Sequence, residues 1–300
     1  MTPLRPRRGE QHPPAPFVVG VGRSGTTLLR LMLDAHPQLA IPAETQFVPE
    51  LIESGRAGAS RDRLAGLITG ARNWGDFNLD AGELAERIGA LERPDAAGVI
   101  RAFFQLYAEH QGKPRWGDKT PIYVTNMRTI GGAIGEARFV HLIRDGRDVA
   151  LSRRRRGMGE GKPVADTARR WRRRIENARS DARRLRGRYL ELRFEDLVDA
   201  PEPALRQICE LVELDYDPAM LDYHERAGDR LSEMGSDLDA RGGRRARSGA
   251  ERLASHALAA EPPRPERTEA WRTEMSESDR REFEAVAGPL LADLGYDVPS

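Results

Sequence analysis

The sequence predicts a three-layer α/β fold in which helices cover both faces of a mostly parallel central sheet. Short apolar segments rich in β-branched residues alternate with segments of helical periodicity, which is the order expected for parallel strands joined by helical crossovers. The first apolar segment runs directly into a glycine-bearing turn and a helix. The chain has 300 residues, of which 39% are hydrophobic, so it is long and apolar enough to form one such domain.

Three apolar segments are the clearest predicted strands: FVVGV (17–21), ARFVHLI (137–143) and YLELRF (189–194). LAIP (39–42) and the segment that ends in RWGDKTP (115–121) are candidates for shorter strands. Ligands of open parallel sheets bind at the carboxyl ends of the strands. The loops that follow these segments are therefore where we expect the functional residues.

The domain organisation follows from composition. Residues 1–16 are basic and proline-rich and lack an apolar stretch, so we expect a disordered arm rather than a signal peptide. A single domain then spans residues 17–300. It contains a helical insertion at about residues 47–112 and a flexible loop, rich in Gly, Arg, Ala and Pro, at about residues 235–265.

The remaining helical patterns lie in the second half of the chain. An Arg-rich helix is expected at about residues 164–187. The segment EDLVDAPEPALRQICELVEL (195–214) is expected to be a loop followed by an amphipathic helix, and a last helix begins behind a Ser276 cap. The one cysteine, Cys209, cannot form an internal disulfide, which favours a reducing compartment. With no apolar run of membrane-spanning length, we expect a cytoplasmic protein.

Positive charge is concentrated in one part of the chain. Residues 153–188 contain 15 Lys and Arg and 4 Asp and Glu, a net charge of +11, while the whole chain carries +1. Either this stretch is a solvated helical face that pairs with acidic neighbours, or its field attracts an anionic ligand. Nucleic-acid binding is disfavoured because only one aromatic residue, Trp171, lies within the stretch.

The turn after the first predicted strand resembles a phosphate-binding loop, G-x-x-x-x-G-K-[ST]. Gly20 and Gly25 have the required spacing, but Thr26 occupies the lysine position, and Arg23 lies inside the turn. Backbone N–H groups at a helix start bind anions without a lysine. A loop without the lysine disfavours a triphosphate and its metal, whereas the forked arginine side chain suits another anionic group. The alternative is a turn that uses glycine for geometry alone.

A second anion site is predicted after the strand at 137–143. Arg144 follows that strand, and Ser152 lies about two turns into the next helix, so both side chains can converge on one phosphate. The alternative is a local salt bridge at the strand end. Asp145, Arg147 and Asp148 fit that structural role better.

These motifs resemble those of sulfotransferases that use 3′-phosphoadenosine 5′-phosphosulfate (PAPS), in particular bacterial members similar to the tyrosylprotein sulfotransferases. The resemblance rests on the following segments, which together cover nearly the whole chain: GRSGTTLLRLMLDAHP, AETQF, GDKTP, LIRDGRDVALS, LRFEDLVDAP and TEAWRTEM…LADLGYD. It implies sulfuryl transfer from PAPS to a hydroxyl group of a small molecule or a peptide, without a metal.

The resemblance also implies a role for individual residues. The 5′-phosphosulfate loop corresponds to Arg23, Ser24, Gly25, Thr26 and Thr27. Arg144 and Ser152 correspond to the pair that binds the 3′-phosphate. Glu44 corresponds to the general base of the tyrosylprotein enzymes, and Lys119 to a lysine beside the transferred group. Cations and a base so placed would stabilise the leaving group and accept the hydroxyl proton.

Several alternatives remain open from the sequence. Glu44 could be an exposed carboxylate that pairs with an arginine, and Lys119 could pair with Asp118. His256 is a rival base, whereas His36 and His141 fit structural positions. Possible cofactor contacts in the flexible loop are Ser248, Ser255 and Arg264. The rival functions are a kinase of the phosphate-loop class and a non-enzymatic protein that binds anions; the acceptor stays undefined, and an oligomer is possible.

Overall fold

The computed structural model describes residues 12–92, 95–158, 161–240, 246–265 and 268–298. Its centre is a four-stranded, fully parallel sheet in the order β4–β1–β5–β6. The strands are β1 (Ala15–Gly20), β4 (Asp118–Lys119), β5 (Ala137–Ile143) and β6 (Tyr189–Arg193). A second, two-stranded parallel sheet pairs β2 (Leu39–Ala40) with β3 (Arg115–Trp116).

Fourteen α-helices are described in this part of the chain. They are α1 (Thr26–Asp34), α2 (Val48–Arg56), α3 (Arg61–Thr69), α4 (Ala81–Gly89), α5 (Ala96–His110), α6 (Met127–Ala133), α7 (Gly146–Arg154), α8 (Val164–Ala182), α9 (Phe194–Asp199), α10 (Pro201–Leu211), α11 (Ala227–Ser232), α12 (Gly249–Ala254), α13 (Trp271–Glu274) and α14 (Glu277–Asp293). Helices flank the central sheet, so the predicted α/β class is confirmed.

Aromatic residues fill the core beneath the sheet. The Phe17 ring on β1 makes edge contacts with Phe104 and Trp116 and lies 5.7 Å, centroid to centroid, from Phe139 on β5. Phe104 and Trp116 stack at 4.7 Å. All four are at least 92% buried. Such contacts anchor β1 and β5, which stabilises the positions of the loops at their carboxyl ends.

The sequence and the structure differ at three places. The first strand begins at Ala15, inside the predicted arm of residues 1–16, because Ala15 and Pro16 pair with β5; residues 1–11 lie outside the described residues. The segment at 195–214 begins with a helix and not with a loop, because its first residues form most of α9, directly before the amphipathic α10. Residues 47–112 contain α2 to α5 and a short 3₁₀ helix.

The third difference lies in the predicted flexible loop at 235–265, which contains α12 and a 3₁₀ helix at Ala257–Ala260. Ser248 caps α12 in a reciprocal capping box with Glu251, which satisfies two backbone N–H groups. Arg252 forms a buried ion pair with Asp76. These contacts explain why α12 forms in a segment whose composition predicts a loop. Residues 241–245 lie outside the described residues.

Candidate active site

The loop after β1 is shaped to present backbone N–H groups to an anion. Gly25 caps α1 with φ 89°, a left-handed conformation that glycine adopts without strain. The Ser24 N–H donates to the Val21 carbonyl at 3.1 Å, which closes the turn. The first N–H groups of α1 then point out of the helix end, where the helix dipole is positive. The loop therefore has the geometry of an anion site.

Gly25 has no space for a side chain. A Cβ atom built on it would lie 2.2 Å from the Phe194 ring. We expect Gly25→Ala to lower the free energy of unfolding by about 1–3 kcal/mol, because it combines an overpacked contact with an unfavourable φ. Chemical denaturation checks this. Gly132→Ala on α6, where nothing lies within 4 Å of the added Cβ, is the control, and equal stability of both variants would contradict the packing argument.

Arg23 joins the two predicted anion sites. Its φ of 82° is unusual for a residue with a side chain, and its Nε donates to Ser152 Oγ at 3.1 Å. The Ser24 hydroxyl beside it is buried and has no hydrogen-bond partner among the described residues. A buried hydroxyl without a partner is costly, so this loop has donor capacity that an anion would satisfy.

Like charges converge on Arg23. Burial first, and then the charges of Arg156, Arg144 and Arg247, lower its pKa to about 10. Arg144 was predicted from the sequence, whereas Arg156 and Arg247 were not, because nothing in their spacing relates them to the loop. Mutual repulsion of this kind is relieved when an anion binds between the guanidinium groups.

Arg144 follows β5 and lies on an aromatic ring. Its guanidinium carbon is 4.7 Å from the centroid of Phe194, the same ring that packs on Gly25. Its Nη2 donates to Asp148 Oδ2 at 3.3 Å, and Asp148 Oδ1 accepts from the Trp271 N–H at 2.9 Å. Phe194 therefore connects the loop with the second anion site. The sequence motif LRFEDLVDAP contains Phe194 but does not indicate this contact.

The neighbouring charged residues have the structural role that the sequence suggested. Arg147 is fully buried and donates to both Asp145 oxygens and, at 2.7 Å, to Glu284. Its guanidinium carbon lies 3.4 Å from the Trp271 ring centroid. Asp145 also caps α7. These contacts hold the start of α7, and with it Arg144 and Ser152, in place.

Glu44 and Lys119 meet on the other side of β1. Lys119 Nζ lies 3.1 Å from Glu44 Oε1; the lysine side chain is fully buried, and about a third of the glutamate side chain (32%) is exposed. Burial opposes ionisation of Glu44, but the charge and hydrogen bond of Lys119 outweigh it, so the pKa of Glu44 is lowered. Burial lowers the pKa of Lys119, against the charge of Glu44. Asp118, the alternative partner of Lys119 left open by the sequence, bonds Thr45 and Thr120 instead.

A buried hydroxyl network holds the loop that carries Glu44. Thr45 Oγ1 donates to Asp118 Oδ2 at 2.9 Å and contacts the Tyr123 hydroxyl at 2.8 Å, and its N–H donates to Thr120 Oγ1. Burial raises the pKa of Asp118 to about 7, against its hydrogen bonds to Thr45 and Thr120. The motifs AETQF and GDKTP are thus joined by hydrogen bonds, which fixes the backbone of Glu44 relative to Lys119.

His256 reaches the loop but is a weak base there. Its Nδ1 lies 3.2 Å from Thr27 Oγ1. Burial first, and then the charge of Lys119, lower its pKa to about 3, so the ring is neutral near pH 7. His141 is fully buried and bonded to the Tyr189 hydroxyl, and His36 is buried against the Asp215 carbonyl. Both occupy structural positions, as expected.

The three residues singled out in the 235–265 region make local contacts. Ser248 caps α12, Ser255 donates to the Arg252 carbonyl, and Arg264 pairs with Glu261 at 3.2 Å. Instead, Arg247 and His256 from this region interact with the loop through Arg23 and Thr27. The lone Cys209 is buried.

The assembled site groups Arg23, Arg144 and Ser152 at the loop after β1, with Glu44 and Lys119 beside it. Within the described ranges, no three His, Cys, Asp or Glu side chains are grouped so as to hold a metal ion. Among the same residues, no helix is both long and apolar enough to cross a bilayer. Together, the fold and these residues are those of an α/β protein with positively charged side chains at the carboxyl ends of neighbouring parallel strands.

Similarity to known proteins shows the family to which the protein belongs. The model of the "Sulfotransferase family" matches residues 14–218, more than half of the chain, so the protein belongs to the sulfotransferase family and catalyses sulfuryl transfer. It is 26% identical over 296 residues to "Protein-tyrosine sulfotransferase 1" of Danio rerio, covering 95% of this chain and 72% of the relative. It is 26% identical to a "Putative protein-tyrosine sulfotransferase" of Caenorhabditis briggsae, covering 95% and 89%.

Two solved structures share the fold. The "Sulfotransferase Domain from the Curacin Biosynthetic Pathway" superposes with a TM-score of 0.62 at 21% identity, covering 97% of this chain and 100% of that one. The "Sulfotransferase Domain from the Synechococcus PCC 7002 Olefin Synthase" gives 0.61 at 23% identity, covering 98% and 99%. The sulfotransferase resemblance inferred from the motifs is therefore confirmed.

Proposed function

We propose that the protein transfers the sulfuryl group of PAPS to a hydroxyl acceptor and requires no metal. The observation that carries the proposal is the hydrogen bond between Arg23 and Ser152. It brings the loop after β1 and the helix after β5 to one place, so that one ligand with two anionic groups can contact both. Arg144, Arg156 and Arg247 add positive charge around Arg23.

The residues present fit such a nucleotide. The buried Ser24 hydroxyl has no partner in the described part of the chain, and the repulsion around Arg23 calls for a counter-charge. The 5′-phosphosulfate would be held by Arg23 to Thr27, and the 3′-phosphate by Arg144 and Ser152. When bound, PAPS supplies the activated sulfuryl group.

Glu44 and Lys119 are the proposed catalytic residues. The lowered pKa keeps Glu44 ionised near neutral pH, so its carboxylate can accept the proton of an acceptor hydroxyl; Oε2 accepts a 3.3 Å hydrogen bond from the Gln46 amide in an exposed position. Its exposed third faces solvent, where an acceptor can approach. Lys119 holds Glu44 in place and presents positive charge where negative charge develops during transfer.

The acceptor is proposed only as a hydroxyl group of a small molecule or a peptide. The curated relatives named above carry names that specify protein tyrosine, and a phenolic hydroxyl is therefore one member of the class to test. The cytoplasmic location expected from the sequence is kept as a proposal, supported by the buried free thiol of the single cysteine, Cys209.

Label transfer tests the proposed donor. The protein is incubated with PAPS labelled in its sulfuryl group, in EDTA, with a panel of alcohols, phenols, sugars and tyrosine peptides. In parallel, the panel is offered ATP labelled in its γ-phosphate, with Mg²⁺. We expect label from PAPS in at least one acceptor. Label from ATP and none from PAPS would support the kinase alternative and contradict the proposal.

Replacing Arg144 tests the 3′-phosphate site. We expect Arg144→Ala to weaken binding of adenosine 3′,5′-bisphosphate by about tenfold or more, since a charged hydrogen bond contributes about 1.5–3 kcal/mol. Isothermal titration calorimetry with adenosine 5′-phosphate as comparison ligand checks the assignment. Arg144→Ala should weaken binding of the bisphosphate much more than binding of the monophosphate. An equal loss of affinity for both nucleotides would show that Arg144 does not contact the 3′-phosphate.

A further inference from the structure

The surface next to the site carries arginines without acidic partners. On α8, Arg169 pairs with Asp166 at 2.6 Å, and Arg172 lies 3.6 Å from Glu176. Arg170, Arg173 and Arg174 have no such pair among the described residues. Like charges three or four residues apart on a helix destabilise it slightly. The cluster of unpaired arginines on α8 therefore suggests a role beyond keeping the surface polar.

These three arginines lie on one side of α8. With about 100° of rotation per residue in a helix, Arg170, Arg173 and Arg174 fall to one side of Trp171, and the paired Arg169 and Arg172 fall to the other. We call this surface, together with Arg153 on α7, the arginine stripe. Arg153 Nε is buried and has no hydrogen-bond partner in the described ranges.

The arginine stripe is attached to the proposed nucleotide site. Trp171 is fully buried and donates from Nε1 to the Arg144 carbonyl at 3.1 Å, so the middle of α8 lies against the carboxyl end of β5. Arg153 directly follows Ser152, and the Arg156 N–H donates to the Arg153 carbonyl. Arg156 in turn lies close enough to Arg23 for its charge to lower the pKa of Arg23, so positively charged residues lead from the stripe towards the loop.

Mutual repulsion within the stripe agrees with this geometry. Burial, then the neighbouring Arg170, Arg153 and Arg173, lower the pKa of Arg174, and burial and Arg170 lower the pKa of Arg153. The four arginines of the stripe are therefore close enough to repel one another.

We propose that the arginine stripe steers the anionic nucleotide into its site and accelerates its association. The inference rests on the proposed function, because it needs an anionic nucleotide as ligand. The stripe extends beyond the residues proposed to hold the bound nucleotide. It therefore changes the rate at which the nucleotide reaches the site and not the contacts that the bound nucleotide makes. Steering by a field of one sign raises association rates and weakens with ionic strength.

The test compares a double variant on α8 with a double variant at the C-terminal end of that helix. Arg170→Gln/Arg173→Gln removes two exposed charges of the stripe. Arg183→Gln/Arg184→Gln removes two exposed charges at the C-cap of the same helix and directly after it, about 20 Å further along the chain direction of the helix. That separation is about two Debye lengths at 0.1 M salt. Both variants therefore change net charge equally but differ in their distance from the site.

Association and dissociation rates of adenosine 3′,5′-bisphosphate are measured by stopped-flow fluorescence at about 0.1 M and 1 M salt, two screening regimes. We expect the stripe variant to associate about three- to tenfold more slowly at 0.1 M salt, within the range known for steering. Its dissociation rate should match that of the unsubstituted protein, its deficit should disappear at high salt, and the control variant should associate normally.

Two kinds of result would overturn the inference alone. One is an unchanged association rate, or one lowered equally in both variants. The other is a faster dissociation in the stripe variant, which would mean direct contact with the bound nucleotide. If the unsubstituted protein bound no adenosine 3′,5′-bisphosphate, the proposed function would fail first and the inference with it.

Discussion

Glu44→Gln should reduce turnover by about a hundredfold or more, within the range that general bases contribute, while binding of adenosine 3′,5′-bisphosphate stays nearly unchanged. Gln keeps the shape of the side chain but cannot accept a proton at neutral pH. The backbone is held independently of the carboxylate, since Asn73 donates to the Glu44 carbonyl at 2.8 Å and Thr45 is fixed by its hydroxyl network. Steady-state rates and calorimetric titration measure the two effects separately.

Glu50→Gln is the matched control for this variant. Glu50 is an exposed carboxylate on α2, six residues further along the chain, and its loss should leave turnover unchanged. If Glu44→Gln abolished nucleotide binding while turnover of the bound complex stayed normal, Glu44 would be a structural residue and another group would have to accept the proton.

Lys119→Met should lower turnover by about a hundred- to a thousandfold, the effect of removing one preorganised donor from a developing charge. Methionine fills the same buried space without the charge. Adenosine 3′,5′-bisphosphate lacks the sulfuryl group, so its affinity should change little. The charge of Lys119 lowers the pKa of Glu44; without it that pKa rises, and the acid limb of the pH–rate profile should move to higher pH.

Lys113→Met distinguishes catalysis from loss of stability. Lys113 is also largely buried, and its ammonium donates to the Leu39 carbonyl at 3.0 Å. We expect this variant to be less stable but to turn over normally when folded. An equal loss of turnover in both lysine variants, with the pH profile unmoved, would show that Lys119 acts through the fold.

Motifs tied to local backbone geometry could be predicted from the sequence. The glycine turn after β1, with Arg23 and three hydroxyl residues, has its own spacing signature, and the structure places it before a helix as expected. Arg144 and Ser152 are likewise set by a strand end and a helix. The sequence could also indicate Glu44 and Lys119 through the resemblance, and the structure places them 3.1 Å apart.

Contacts between distant segments could not be predicted. Arg247 and His256 approach the loop only because α12 is capped by Ser248 and tied to Asp76 through Arg252, a buried pair separated by 176 residues in sequence. The packing of Phe194 on Gly25 also depends on β6 lying next to β5. Such contacts follow from the tertiary arrangement, and a composition rich in Gly and Arg indicates only an irregular loop.

The most direct test of a metal-independent phosphosulfate site is ligand-induced stabilisation. The unfolding temperature is measured with saturating adenosine 3′,5′-bisphosphate in EDTA, and separately with ATP and Mg²⁺. A ligand present at about 100 times its dissociation constant stabilises the folded state by about 2.7 kcal/mol, which is a clear shift. We predict this shift for the bisphosphate in EDTA. A shift with ATP and Mg²⁺ alone, and none with the bisphosphate, would contradict the assignment of the donor.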